Sequence, residues 1–159
     1  MRLHRLVTLC YLDWAAGRAQ VTILGGVEAL RIHHVGMAVE NLDEAVGTYQ
    51  RLFGGQVEHR ATVEAQGVEA ASVRIGESRI ELVAALGGET PVGKFLAKRG
   101  PGVHHVAYEV DDLPEALRQL SAEGAELIDQ APHRGLFGLQ VAFVHPSSVH
   151  GVLAELVAP

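Results

Sequence analysis

One block of this chain occurs twice, and the second copy decides what the first can fold into. RIHHVGMAVENLDEAV, starting at Arg31, returns as GVHHVAYEVDDLPEAL, starting at Gly102. His34, Val39, Leu42 and Glu44 reappear 71 positions later as His105, Val110, Leu113 and Glu115, and Glu81 reappears after 74 as Glu155. An offset that holds across the block and slips only beyond the loops is the mark of duplication with small insertions. Two copies of so small a unit must close on each other to bury their sheets. A pseudo-twofold pair of curved sheets around a cleft is the expected result.

Each copy reads as βαβββ. In the first, RIHHVGMAV is strand-like, and Asn41 with Glu44 opens a helix whose apolar positions Leu42, Ala45, Val46, Tyr49 and Phe53 keep the helical period. Gly54-Gly55 stops it. QVEHRATV, GVEAASVRI and SRIELVAAL follow as strands, the last two joined by a turn at Gly76-Glu77-Ser78. In the second copy VHHVAYEV precedes a helix opened by Asp112, with Pro114 in its first turn and Gly124 at its end. AELIDQAP, GLQVAFVH and GVLAELVA are its remaining strands. PVGKFLAKRGPG between the copies predicts a short helix and linker. The fold class is therefore α+β, with two tandem βαβββ modules, about 30–88 and 101–158, forming a curved sheet around a metal-binding cleft in a single domain over 30–159.

Composition narrows the chemistry. The one cysteine, Cys10, cannot form an intramolecular disulfide or a thiolate zinc site, which suits a reducing, cytoplasmic setting. A formal charge of −6 without a basic run argues against nucleic acid, and no apolar run reaches membrane-spanning length. In the first 26 residues Asp13 and Trp14 interrupt the apolar stretch before it forms a secretory signal. Residues 1–29 are read as an extension, either poorly ordered or reflecting a start placed too far upstream.

Strand parity then sorts the histidines. Ile32, His34, Gly36 and Ala38 share one face; His33, Val35, Met37 and Val39 share the other, bulkier face, expected under the helices. His34 then looks into the cleft beside small residues, and the same parity places His105 with Val103 and Ala107. Glu81 and Glu155 occupy matching places near the end of each copy. Two imidazoles and two carboxylates suit Co²⁺, Mn²⁺, Ni²⁺, Zn²⁺ or Fe²⁺ and leave positions open. Two carboxylates buried together without a cation would be costly.

HHVGMAVENLDEAVGTYQRLFG, the pair Gln66-Gly67, IELVAAL, TPVGKFLAKRGPGVHHVAYEVDDL, FVHP and GVLAELV together resemble the methylmalonyl-CoA epimerase family. That family lies within the vicinal oxygen chelate superfamily, which also holds glyoxalase I, and the resemblance spans about residues 30–157. It implies an acyl-CoA thioester substrate, a divalent cation held by His34, Glu81, His105 and Glu155, and a homodimer. It also implies proton transfer at the carbon between a thioester and a carboxylate, with Glu155 as one acid/base group. The other, in some members, is a glutamate three positions after the glycine of Gln-Gly. Here that position is Ala70 and the glutamate is Glu69, one residue earlier, which on a strand reverses the facing. Glu69 is the candidate second base only if a bulge re-aims it. A second departure is HPSS at His145–Ser148 where the family often has HPK. Lys94, Lys98, Arg99 and Arg134 are the candidate contacts for coenzyme A, and the RGLFG loop for a carbonyl or phosphate.

Two other functions fit a cleft of this kind. A glyoxalase I type lyase uses the same ligand set on a hemithioacetal, and a bleomycin-resistance-like binding protein needs no metal ligands at all.

Overall fold

The computed structural model describes residues 26–159. Of the expected extension, residues 1–25 lie outside the described residues, whereas Val27 packs on the core and the Leu30 amide donates to Glu109 O at 2.8 Å. In chain order the elements are β1 (Arg31–Val39), α1 (Leu42–Phe53), β2 (Gln56–Val63), β3 (Val68–Ile75), β4 (Ser78–Ala85) and α2 (Pro91–Arg99). The second half follows with β5 (Gly102–Glu109), α3 (Leu113–Ala122), β6 (His133–Arg134), β7 (Gln140–Val144) and β8 (Leu153–Ala158).

The eight strands of the described residues form one curled sheet in the order β2-β3-β4-β1-β5-β8-β7-β6. β1 and β5 are antiparallel neighbours at its centre, and each runs parallel to the last strand of its own copy, β4 or β8. The duplication is thus written into the topology: reading outward from the centre gives 4-3-2 on one side and 8-7-6 on the other.

The helices start where the sequence says they should. Asn41 Oδ1 accepts from the Glu44 amide at 3.0 Å and Asp112 Oδ1 from the Glu115 amide at 2.9 Å, each satisfying one unpaired donor of a first turn. Gly54, at φ 64°, closes α1 in the left-handed conformation that a side chain would resist. α1 packs through Leu42 on Ala71, Val73 and Leu82 on one face of the sheet, and α3 covers Ala142, Val144, Ala154 and Leu156 in the equivalent place. α2 packs on the opposite face, against Ala38, Val68, Ala70 and Val83, and plugs one end of the cleft. Among the described residues no helix is long and apolar enough to cross a membrane.

One expected strand is displaced. AELIDQAP makes only an isolated bridge, Leu127 to Val144, and the pairing with β7 resumes at His133 and Arg134. Asp129 interrupts the ladder because its own carboxylate, not a carbonyl, accepts from the Phe143 amide at 2.8 Å. Pro132 then has no amide to donate.

Candidate metal centre

The two histidine doublets are two β-bulges. Along β1 and β5, Ile32 pairs with Tyr108 and His34 with Ala107, leaving His33 without a partner; Gly36 pairs with His105 and Met37 with Val103, leaving His104 without one. Each extra residue breaks strict alternation, so neighbouring rings lean together. His33 Nδ1 lies 2.8 Å from His34 Nδ1, and His104 Nδ1 lies 3.0 Å from His105 Nδ1. His33 and His104 thus each contact the ring that follows them, and His104 also packs against Phe95 of α2.

Register does the rest. Gly36 is flanked by Glu81 on β4 and His105 on β5; its counterpart Ala107 is flanked by Glu155 on β8 and His34 on β1. Two small residues thus let two imidazoles and two carboxylates meet above them. The tolerance is tight on one side, since a Cβ on Gly36 would lie 2.0 Å from the His105 ring.

All four side chains are buried, at 4–7% exposure. His34 Nε2 lies 3.1 Å from His105 Nε2, 3.6 Å from Glu81 Oε2 and 3.2 Å from Glu155 Oε2. His105 Nε2 is 3.3 Å from each carboxylate. Donor atoms bound side by side around a cation, with bonds of about 2.1 Å, stand roughly 3.0–3.4 Å apart by geometry. Four of the five spacings fall on that range, and His34 to Glu81, at 3.6 Å, lies just beyond it. Glu155 Oε2 is buried with no hydrogen-bond partner among the described residues, and it joins His34 and His105 in a group whose ligand atoms all lie within 4.8 Å of one another. The donor set fits a divalent cation.

Charge balance supports the fit. Burial alone would lower His34 and His105, but the adjacent Glu155 and Glu81 carboxylates outweigh it and push both up to about 9. Burial would likewise raise the carboxylates, yet His105 and His34 hold Glu81 down at about 2 and keep Glu155 below the usual range. Without a cation, two protons on the imidazoles balance the two carboxylates. Replacing two protons by one dication leaves the buried charge unchanged. Burial and the adjacent His105 lower His104 to about 4, and burial with His34 lowers His33. Each is then a neutral ring able to accept a ligand's Nδ1–H, which directs Nε2 to the centre.

Glu81, His105 and Glu155 line the floor of a cleft of about 360 Å³, in the range of small-ligand sites, while His34 touches them without lining it. Its walls are mainly apolar, including Val68, Val83, Val92, Val141 and Phe143. Glu69 is not brought there: it binds Arg60 at 2.8 Å, and Arg60 also holds Asp43 of α1, on the helix side of the sheet. Ala70, fully buried, occupies the cleft-facing place. Lys94, Lys98 and Arg99 line a second groove that shares Pro91, His104, Ile128 and Leu153 with the cleft, whereas Arg134 lines neither. The HPSS segment is a hydrogen-bonded turn in which Ser147 donates to Glu126 and Ser148 accepts from the Glu126 amide. The RGLFG loop sends Leu136 and Phe137 across to the first half, where they pack near α2. His133, which sequence reasoning passed over, also lines the cleft.

The family model described as Glyoxalase/Bleomycin resistance protein/Dioxygenase superfamily matches residues 33–143. A mitochondrial methylmalonyl-CoA epimerase of Dictyostelium discoideum is 36% identical over 135 residues, covering 84% of this chain and 81% of that protein. The crystal structure of methylmalonyl-CoA epimerase from Mycobacterium tuberculosis superposes with a TM-score of 0.80 at 34% identity, over 86% of this chain and 93% of that one. A Streptomyces coelicolor methylmalonyl-CoA epimerase variant in complex with 2-nitronate-propionyl-CoA also gives 0.80, at 35% identity over 82% and 95%.

Proposed function

This chain belongs to the Glyoxalase/Bleomycin resistance protein/Dioxygenase superfamily, and from that premise we propose that it is a divalent-cation-dependent methylmalonyl-CoA epimerase. The observation that carries the proposal is the convergence of His34, His105, Glu81 and Glu155, the last three of which line the floor of an apolar cleft. Relatives named as this epimerase, at about a third identity over most of both chains, support the choice of reaction.

His34 and His105 would hold the cation through Nε2, with Glu81 and Glu155 completing the set. When bound, the cation supplies the positive charge that stabilises the enolate oxygen formed as the α-proton leaves. The protein's own groups do the rest. The apolar walls exclude water and so strengthen every charge interaction at the floor. Glu155, whose Oε2 has no hydrogen-bond partner among the described residues, is the group proposed to take or return the α-proton on one side. The groove bearing Lys94, Lys98 and Arg99 runs from the cleft and offers cations to the coenzyme phosphates.

Residues 30–159 are proposed to form the working unit, as a cytoplasmic homodimer; light scattering at the mass of a single chain would refute the dimer. The reaction is tested by supplying (2R)-methylmalonyl-CoA and measuring the (2S) form on a chiral column. Interconversion with Co²⁺ or Mn²⁺ is expected. No interconversion with any divalent metal, together with thiol-dependent loss of methylglyoxal, would move the chain to the glyoxalase I type.

A further inference from the structure

Inverting a carbon through a planar intermediate needs a proton donor on each face, and Glu155 serves only one. Ala70 leaves no carboxylate at the other expected place, and Glu69 is tied to Arg60 on the far side of the sheet. Among the described residues, the titratable ones lining the cleft are Glu81, His104, His105, His133 and Glu155. Glu81, His105 and Glu155 belong to the cation cluster, and His104 is turned to His105 through Nδ1 and packed on Phe95. His133 is the one without a structural task in the cluster.

Its setting is that of a positioned imidazole. His133 is the register partner of Val141, and Phe143 is the register partner of Glu155, so His133, Val141, Phe143 and Glu155 project from the same face. His133 Nδ1 lies 3.7 Å from Asp129 Oδ2, close enough to pair but longer than a formed hydrogen bond. Asp129 is itself fixed, accepting from the Phe143 amide at 2.8 Å and donating its own amide to Phe143 O at 3.2 Å. With the carboxylate on the Nδ1 side of the ring, Nε2 is the nitrogen free to serve the cleft that His133 lines. Two strand spacings and one residue pair separate His133 from Glu155, roughly 12 Å between Cα positions. Both side chains line the same cleft of about 360 Å³, the space an acyl group would occupy. With its side chain 41% exposed, His133 also keeps contact with bulk water, where its proton can be renewed.

We infer that His133, oriented by Asp129, is the second acid/base group of this cleft. This rests on the epimerase reading above. In one direction Glu155 takes the α-proton and the His133 imidazolium delivers its own to the opposite face; in the other direction the roles reverse, and solvent resets both groups. Asp129 is a positioning residue, since it acts only through the ring.

The test is performed in D₂O with the cation-loaded full chain and each epimer separately. His133→Gln is expected to cut interconversion by about 100-fold or more, while one epimer still exchanges its α-hydrogen within a few-fold of the unaltered rate and with retention. Asp129→Asn should lower kcat about tenfold with little change in KM, and His133→Ala should regain inversion on addition of imidazole. Cation titration of each variant reports whether the site is intact. Interconversion by His133→Gln within twofold of the unaltered chain would overturn the inference, as would equal loss of exchange from both epimers with the cation still bound. Failure of the unaltered chain to exchange either epimer would instead overturn the epimerase reading.

Discussion

Gly36→Ala adds one methyl group at the point where the two copies meet, and the structure says what it would strike. The new Cβ would stand 2.0 Å from Cε1, 2.3 Å from Nδ1 and 2.4 Å from Nε2 of His105, where real contacts do not fall below 3.0 Å. The ring must therefore retreat by about 1 Å, against a tolerance of about 0.2 Å in a metal–nitrogen bond. It has little freedom to do so, being buried, held to His104 and set edge-on to Phe143. Gly36 is not in the left-handed region, so the whole effect is steric. Because loss of a ligand's support alone costs 10–100-fold in metal affinity, displacement of the ligand should cost about 100-fold or more. Overpacking adds about 1–3 kcal/mol of destabilisation. The assay is competition for Co²⁺ against a chromophoric chelator, paired with thermal melts of the metal-free chain. Gly47→Ala, in α1 with nothing within 4 Å of its new Cβ, is the control and should be neutral or slightly stabilising. Unchanged Co²⁺ affinity in Gly36→Ala would refute the steric argument for this centre.

The metal-free protein should be most stable near pH 6.5, because His104, lowered to about 4, takes stability away as pH falls from 6.5 through 4. His34 and His105, raised to about 9, stabilise fully below 6.5 and lose that contribution as pH rises through 9; Glu81, lowered to about 2, does so above 4.5 and loses it as pH falls through 2. Thermal melts across pH check this. Metal affinity should move the opposite way, rising by up to about two log units per pH unit toward pH 9 as two protons are displaced, which isothermal titration reads directly. Glu69→Gln, on the helix side, should leave turnover within about twofold, since one exposed ion pair contributes little; a collapse of turnover would place Glu69 in the chemistry. Asn41→Ala should cost about 1 kcal/mol through the lost cap on α1, measured by urea unfolding.

The topology was legible because it is repetitive. A constant offset between His34 and His105 and between Leu42 and Leu113 identifies two like units, and parity along RIHHVGMAV places His34, Gly36 and Ala38 on the buried face they occupy. What the sequence hid was set by departures from regularity. The bulges at His33 and His104 depend on how β1 and β5 pair, which no local pattern encodes, so the contact of each doublet's two rings could not be read. In AELIDQAP the alternation of apolar and polar residues predicts a strand, but Asp129 takes the amide that the ladder needed and shifts pairing to His133. That shift brings His133 to the cleft. The only local signal for it was a histidine standing after Pro132 and before Gly135, which by itself names no role.

On the proposed reading one cation, shared by the two copies, is required for proton transfer. Chelator-stripped protein titrated with Co²⁺ in D₂O tests it most directly, following visible absorption and α-deuterium incorporation into methylmalonyl-CoA in the same sample. Both signals should rise together and saturate at one ion per chain, and both should vanish in His34→Ala and in His105→Ala. Full exchange by the stripped protein, or saturation at one ion per chain with either histidine removed, would contradict it.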